Sequence, residues 1–145
     1  MGLDCYIVHG NDHDKAFTHE DDERLKDIHL CGGMVSGDGS DGSFRGKAYE
    51  PLVDDLMQTQ GIWHKSGNDT PDYVTSEELK AQAKALEEFI QLKVDIMEED
   101  SETYDDDTII YQVDNWAEYT LGEVKDLATL LGVAGKRGAV MHVWW

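Results

Sequence analysis

Apolar and polar residues alternate in four short segments of the chain, and this alternation predicts strands. LDCYIVH, near 3–9, alternates almost from the first residue, and AVMHVWW ends the chain within 138–145. TIIYQVDNW, near 108–116, is rich in the β-branched and aromatic residues that favour strands. IHLCGGMV, near 28–35, predicts a further strand that is interrupted by a glycine pair.

Helical spacing of apolar residues predicts three helices between these strands, near 44–60, 76–98 and 120–132. Phe44 is the first apolar position of the first pattern, and Pro51 lies inside it, so this helix is expected to start near Glu50 or to be kinked. The other two are each introduced by Thr-x-x-Glu, at 75–78 and 120–123, a sequence that can form a capping box.

The order of these elements, β, β, α, α, β, α, β, predicts an α+β fold. We expect a small mixed or antiparallel sheet of about four strands with three helices. A length of 145 residues is typical of one domain, and no segment has the composition of a linker, so a single domain over 1–145 is predicted.

Charge is the strongest global property of the sequence. It has 31 acidic and 12 basic residues, a formal net charge of −19 at pH 7 with histidine neutral. Such a charge repels nucleic acid and anionic membranes and favours basic proteins as partners. The same charge is also typical of a surface that only keeps the protein in solution.

Membrane insertion and secretion are not predicted. No run approaches the roughly 18 consecutive apolar residues of a membrane helix, and the N-terminus lacks the basic start and apolar stretch of a signal peptide. The two cysteines, Cys5 and Cys31, fit small core residues in a reducing compartment. A cytoplasmic location is the expectation.

Residues 37–42, GDGSDG, match the G-x-G-x-x-G pattern of dinucleotide-binding loops. A helix is predicted after them, but the strand before them is weak and no βαβ unit of the right length follows. Asp38 and Asp41 also lie where phosphate oxygens would approach. A dinucleotide site of this kind is therefore disfavoured.

A simpler phosphate site remains, because the N-terminus of a helix attracts anions in any fold. Arg45 and Lys47 lie at the predicted start of the first helix, in a chain with few basic residues. The alternative is that both pair with nearby acids such as Asp38, Asp41 or Glu50. The candidate ligand-binding residues are Gly37, Gly39, Ser43, Arg45 and Lys47.

Metal binding and catalysis have weaker support. Oxygen ligands in the glycine-rich loop suit calcium, but their order differs from that of an EF-hand loop. His9, Asp12 and His13 are weak candidates for a transition metal, because Gly10-Asn11 opposes the helix that would align the histidines. The sequence has no G-x-S-x-G nucleophile motif. We therefore predict no cofactor and favour binding over catalysis.

Met1-Gly2-Leu3-Asp4-Cys5-Tyr6 resembles the opening Met-Gly-Leu-Asp-Met-Tyr of a loose group of small uncharacterised phage and bacterial proteins. Three later segments are similar to that group in order: FRGK at 44–47, YVT at 73–75 and YTL at 119–121. The chain differs in Cys5 and in its glycine-rich insertion. The resemblance implies a phage-linked, cytosolic protein and carries no known activity.

The leading hypothesis is a non-catalytic binding protein that holds a phosphorylated small molecule, such as a nucleotide signal of host defence. One alternative is an acidic inhibitor that mimics nucleic acid and binds a basic host protein. Another is a metal-dependent enzyme that uses the His9 and His13 region. The sequence leaves the oligomeric state open, including a homo-oligomer.

Overall fold

The structure, a computed structural model, describes residues 4–8, 18–25, 28–30, 33–34, 43–63, 72–113 and 117–144. These residues form eight strands and four helices in an α+β arrangement, which confirms the predicted fold class. The elements are β1 (Asp4–Val8), α1 (His19–Leu25), β2 (His29–Leu30), β3 (Gly33–Met34), β4 (Ser43–Arg45), α2 (Gly46–Met57), β5 (Asp72–Val74), α3 (Ser76–Glu99), β6 (Ile109–Val113), β7 (Ala117–Thr120), α4 (Leu121–Lys136) and β8 (Val140–Trp144).

The main sheet of the described residues has four strands in the order β4-β1-β8-β5, and every pairing is antiparallel. At its centre Cys5 pairs with Val143 and Ile7 with Met141. All four of these residues are buried. Because side chains alternate between the faces of a sheet, this row marks the face that packs on the hydrophobic core.

Two predicted strands lie outside this sheet. The segment near 28–35 forms the short pair β2–β3, and the segment near 108–116 forms β6, which pairs with β7 in a hairpin. Their places in the main sheet are taken by β4 and β5, of three residues each. Alternation identifies a strand but does not specify its partner, which explains the error.

The first predicted helix also begins differently. Residues 43–45 form the edge strand β4, and α2 begins at Gly46 and continues through Pro51 to Met57. Phe44 has helical spacing in the sequence, yet it reaches the core from a strand, opposite Cys5. The helix predicted near 44–60 is therefore confirmed with bounds of Gly46–Met57, and it begins before Glu50.

Both predicted capping boxes are present, and they set the starts of α3 and α4. Thr75 and Thr120 each accept the backbone N–H of the glutamate three residues later, Glu78 or Glu123, at 3.2 Å. Helix α3 ends one residue beyond its predicted end, whereas α4 continues four residues further than predicted. Gly132 and Gly135 lie inside α4, and the absence of a side chain at Gly135 allows α3 to approach closely.

Short helix α1 is connected to the end of α4 by an ion pair. The buried carboxylate of Asp21 accepts hydrogen bonds from the Arg137 guanidinium, with Nη2 and Oδ1 3.1 Å apart. Thr18 and Asp21 also exchange backbone to side-chain hydrogen bonds. The Arg137 hydrogen bond holds the pKa of Asp21 below its ordinary value, so this carboxylate stays ionised in the folded protein.

Candidate functional site

The candidate anion site is the junction between β4 and α2, and Phe44 fixes its position. The Phe44 ring is buried, and it makes edge contacts with the rings of Tyr49, at 6.0 Å between centroids, and Trp63, at 5.9 Å. The next residue, Arg45, is exposed and stands at the N-cap of α2. A buried aromatic anchor therefore holds an exposed arginine at the start of a helix.

Helix α2 begins without a side-chain cap. Arg45 has an extended backbone, with φ −82° and ψ 99°, and forms no side-chain cap hydrogen bond. The first turn contains no acidic residue, and its Lys47 side chain is exposed. The first N–H groups of a helix have no intrahelical acceptor and lie at the positive end of its dipole.

Among the side chains that the structure describes, none forms an ion pair or hydrogen bond with the side chain of Arg45 or Lys47. In the sheet, Arg45 lies opposite Asp4 of β1 in register. Two other basic side chains form ion pairs: Lys80 with Glu77 at 3.0 Å, and Lys125 with Asp106 at 3.2 Å. The two basic charges at the junction therefore have no partner among the side chains that the structure describes.

Of the acids expected to pair with these bases, Glu50 is described and is engaged elsewhere. It is buried, and its Oε2 accepts the backbone N–H of Trp63 at 2.9 Å. Asp38 and Asp41 lie outside the described residues. The contact of Glu50 that the structure shows is therefore with the segment after α2.

Two tyrosines attach the start of α2 to neighbouring elements. The hydroxyl of Tyr49 donates to Glu123 at 3.0 Å, and the hydroxyl of Tyr119 donates to the backbone oxygen of Ala48 at 2.7 Å. Burial, and secondarily the charge of Glu123, raise the pKa of Tyr119 to about 12. Tyr119 therefore stays protonated near neutral pH and donates its hydrogen bond to the first turns of α2.

Of the remaining site residues that the sequence suggested, the structure describes one, Ser43. Ser43 lies in β4 and pairs in register with Tyr6 of β1. Gly37 and Gly39 lie outside the described residues, and so do His9, Asp12 and His13. No group of three or more potential metal ligands occurs within the residues that the structure describes.

A shallow groove of about 450 Å³ lies between α2 and β6, and sequence reasoning missed it. Asp54 and Tyr111 are among the residues that line it. The Asp54 carboxylate accepts hydrogen bonds from Thr59 Oγ1 and from the backbone N–H groups of Gly61 and Ile62, at 2.8–2.9 Å. Asp54 therefore stabilises the turn after α2, and this structural use explains the acid in the groove.

A second candidate surface, the acidic surface 87–107, covers the C-terminal half of α3 and the loop after it. Within this range Lys93 is the one basic residue. All ten acidic residues of this range are exposed: Glu87, Glu88, Asp95, Glu98, Glu99, Asp100, Glu102, Asp105, Asp106 and Asp107. This range therefore holds ten of the 31 acidic residues and one of the 12 basic residues of the chain.

Comparisons with protein-family models, with curated proteins and with solved structures find no match to this chain. Among the described residues, no helix combines the length and apolar character needed to cross a membrane.

Proposed function

We propose that the protein is a non-catalytic binding protein that holds a phosphorylated small molecule, such as a nucleotide, at the β4–α2 junction. One observation carries the proposal. In a chain of net charge −19, Arg45 and Lys47 are exposed beside a helix N-terminus that has no side-chain cap, and no acidic side chain that the structure describes pairs with them. An anion is the ligand that this arrangement would stabilise.

The two basic side chains would contribute differently. The planar guanidinium of Arg45 can form two parallel hydrogen bonds to one phosphate, whereas the ammonium of Lys47 acts as a point charge. Amide groups of the first turn of α2 would complete the contact. Gly37, Gly39 and Ser43 enter the proposal from their position in the sequence, as the segment that leads into the site.

The resemblance to phage proteins gives this proposal a biological setting. A protein that binds a phosphorylated molecule without converting it lowers the free concentration of that molecule. In a phage-encoded protein, such binding would sequester a host signal in the host cytoplasm.

Calorimetric titration with inorganic pyrophosphate and with nucleoside mono-, di- and triphosphates tests the proposal. The variant is Arg45→Ala with Lys47→Ala. The control is Lys84→Ala with Lys136→Ala, which removes two exposed charges elsewhere. Each lost charge-assisted hydrogen bond costs about 1.5–3 kcal/mol, so we expect the first variant to bind at least ~100-fold more weakly and the control to bind normally. Equal binding by both variants, or no binding by the wild type, contradicts the proposal.

The acidic surface 87–107 favours a second function, contact with a basic protein. Ten exposed carboxylates against one lysine present a row of negative charge that resembles a nucleic-acid backbone. A protein that normally binds DNA or RNA would be the natural partner of such a surface. This function needs no small ligand and does not depend on Arg45 or Lys47.

Salt dependence tests this second function. We expect a lysine-rich peptide to bind the protein and to lose affinity steeply as salt is added, because added ions screen exposed charges. Glu99→Gln with Glu102→Gln should weaken binding more than the control Glu20→Gln, which lies on α1. Binding that is insensitive to both salt and these substitutions contradicts the proposal.

A further inference from the structure

Helix α3 carries an apolar stripe that the rest of the described chain does not cover. Leu92 is 56% exposed and Ile96 is 44% exposed, and Ala85 and Phe89 are partly exposed. In chain order these four residues, from Ala85 to Ile96, are separated by four, three and four positions, so they lie on one face of the helix. The same spacing is typical of the contact seam of a coiled coil.

One side of this stripe is closed by the protein's own fold. The Phe89 ring makes an edge contact with the ring of Tyr111 in β6, at 5.5 Å between centroids. The ammonium of Lys93 lies 5.5 Å from the centre of the Phe89 ring. Phe89 therefore joins the stripe to the core, whereas Leu92 and Ile96 extend it toward solvent.

The other side of the stripe is acidic. Glu88 and Asp95 are exposed, and each directly precedes a residue of the stripe, Phe89 or Ile96. In the heptad arrangement these positions flank the seam and face the charged residues of a partner helix. The Asp95 carboxylate is oriented by the side-chain amide of Gln91, which donates to it at 2.8 Å.

We propose that this stripe docks a cationic amphipathic helix of a partner protein. The apolar face of that helix would cover Leu92 and Ile96, while its lysines or arginines would face Glu88 and Asp95. A second copy of this chain suits the stripe less, because it would place carboxylate against carboxylate between two chains of net charge −19. The proposal rests on the second function above and adds the surface and the secondary structure of the partner.

Two synthetic peptides of about three heptads test this proposal. The first has leucine at the seam positions and lysine beside them, and the second has the same composition in scrambled order. Binding to the full chain is measured by calorimetry, and peptide helicity by circular dichroism. We expect the first peptide to become helical and to bind at least ~10-fold more tightly than the scrambled one.

Substitutions in the protein locate the contact. The double substitution Leu92→Ser with Ile96→Ser should weaken binding of the first peptide by at least ~10-fold, since apolar anchors dominate the affinity of such interfaces. Both side chains are exposed, so thermal unfolding should show that the variant remains folded. Glu88→Gln with Asp95→Asn should weaken binding more than the charge-matched control Glu77→Gln with Glu118→Gln.

The ways in which this proposal can fail are distinguishable. Equal binding of both peptides, unaffected by Leu92→Ser with Ile96→Ser, overturns the docking stripe but leaves the salt-dependent contact with basic proteins standing. Absence of binding by either peptide overturns both. Sedimentation that shows a dimer abolished by the same substitutions also overturns the proposal, because the occupant is then a second copy of the chain.

Discussion

Glu50 of α2 accepts the backbone N–H of Trp63 at 2.9 Å, and both residues are buried. The indole N–H of Trp63 donates to Gln82 of α3, also at 2.9 Å. These two hydrogen bonds attach the segment after α2 to the core. The carboxylate of Glu50 is thus buried in this contact, whereas Arg45 and Lys47 at the start of the same helix are exposed.

Two substitutions of Glu50 test whether its hydrogen bond to Trp63 stabilises the fold. Glu50→Ala leaves a buried N–H without this acceptor, so we expect the free energy of unfolding in urea to fall by about 1–3 kcal/mol. Glu50→Gln keeps an oxygen that can accept the bond and should cost less. If both substitutions cost the same, the hydrogen bond to Trp63 is not the stabilising contact.

Alanine substitutions at two glycines of α4 test how closely α3 and α4 pack. A β-carbon at Gly135 would lie 2.9 Å from the backbone oxygen of Ser76, whereas one at Gly132 would lie 3.6 Å from Ala83 Cβ. Gly135→Ala should therefore destabilise the protein by about 1–3 kcal/mol through overpacking. Gly132→Ala, the matched control, should be neutral or stabilising because alanine favours helix. Equal thermal stabilities of the two variants would refute this packing.

The Asp21–Arg137 pair predicts how stability depends on pH. The pKa of Asp21 is lower in the folded than in the unfolded protein, so its stabilisation is complete above the ordinary carboxyl range. It is lost as the pH falls through the folded pKa. Asp21→Asn should lower the free energy of unfolding by about 1–3 kcal/mol at pH 7, and this difference should shrink below about pH 4.

Urea titrations at several pH values, with the exposed Asp107→Asn as a control, measure this difference. The control should change stability by less than about 0.5 kcal/mol at every pH. A difference between Asp21→Asn and the wild type that stays constant down to about pH 2 would contradict the ion pair.

Tyr119 provides a spectroscopic prediction. Its pKa is raised to about 12, so it should contribute little phenolate absorbance at about pH 11 in the folded protein. Wild type and Tyr119→Phe should therefore show nearly the same absorbance change up to that pH, with circular dichroism confirming the fold. The stabilisation linked to this pKa is present below about pH 10 and is lost as the pH rises toward about 12. A clearly smaller absorbance change in the variant would place Tyr119 in solvent.

Local signals predicted the helices best. Thr75 with Glu78, and Thr120 with Glu123, fix two helix starts through contacts three residues apart, which a sequence shows directly. Strand β5 was missed because its three residues are stabilised by pairing with β8, which is distant in the chain. Strand β4 was missed because Phe44 lies at helical spacing from the apolar residues of α2. In the structure it is a buried strand residue that pairs with Cys5 of β1.

The sequence predicted only part of the candidate site, because contacts between residues distant in the chain determine the rest. The sequence places Arg45 and Lys47 beside a helix start, but it does not show whether an acid neutralises them. The contact of the Glu50 carboxylate with the backbone of Trp63, thirteen residues away, is one tertiary contact that the sequence does not show. The apolar stripe on α3 was not predicted, because a sequence does not show which apolar residues of a helix, here Leu92 and Ile96, the tertiary packing leaves exposed.

The central claim is that an anion binds at the β4–α2 junction, and backbone amide chemical shifts test it most directly. We predict that pyrophosphate or a nucleotide shifts the amides of residues 43–48 more than any others, and that Arg45→Ala with Lys47→Ala abolishes these shifts. Unchanged amides at 43–48, or larger shifts elsewhere in the chain, would contradict the claim.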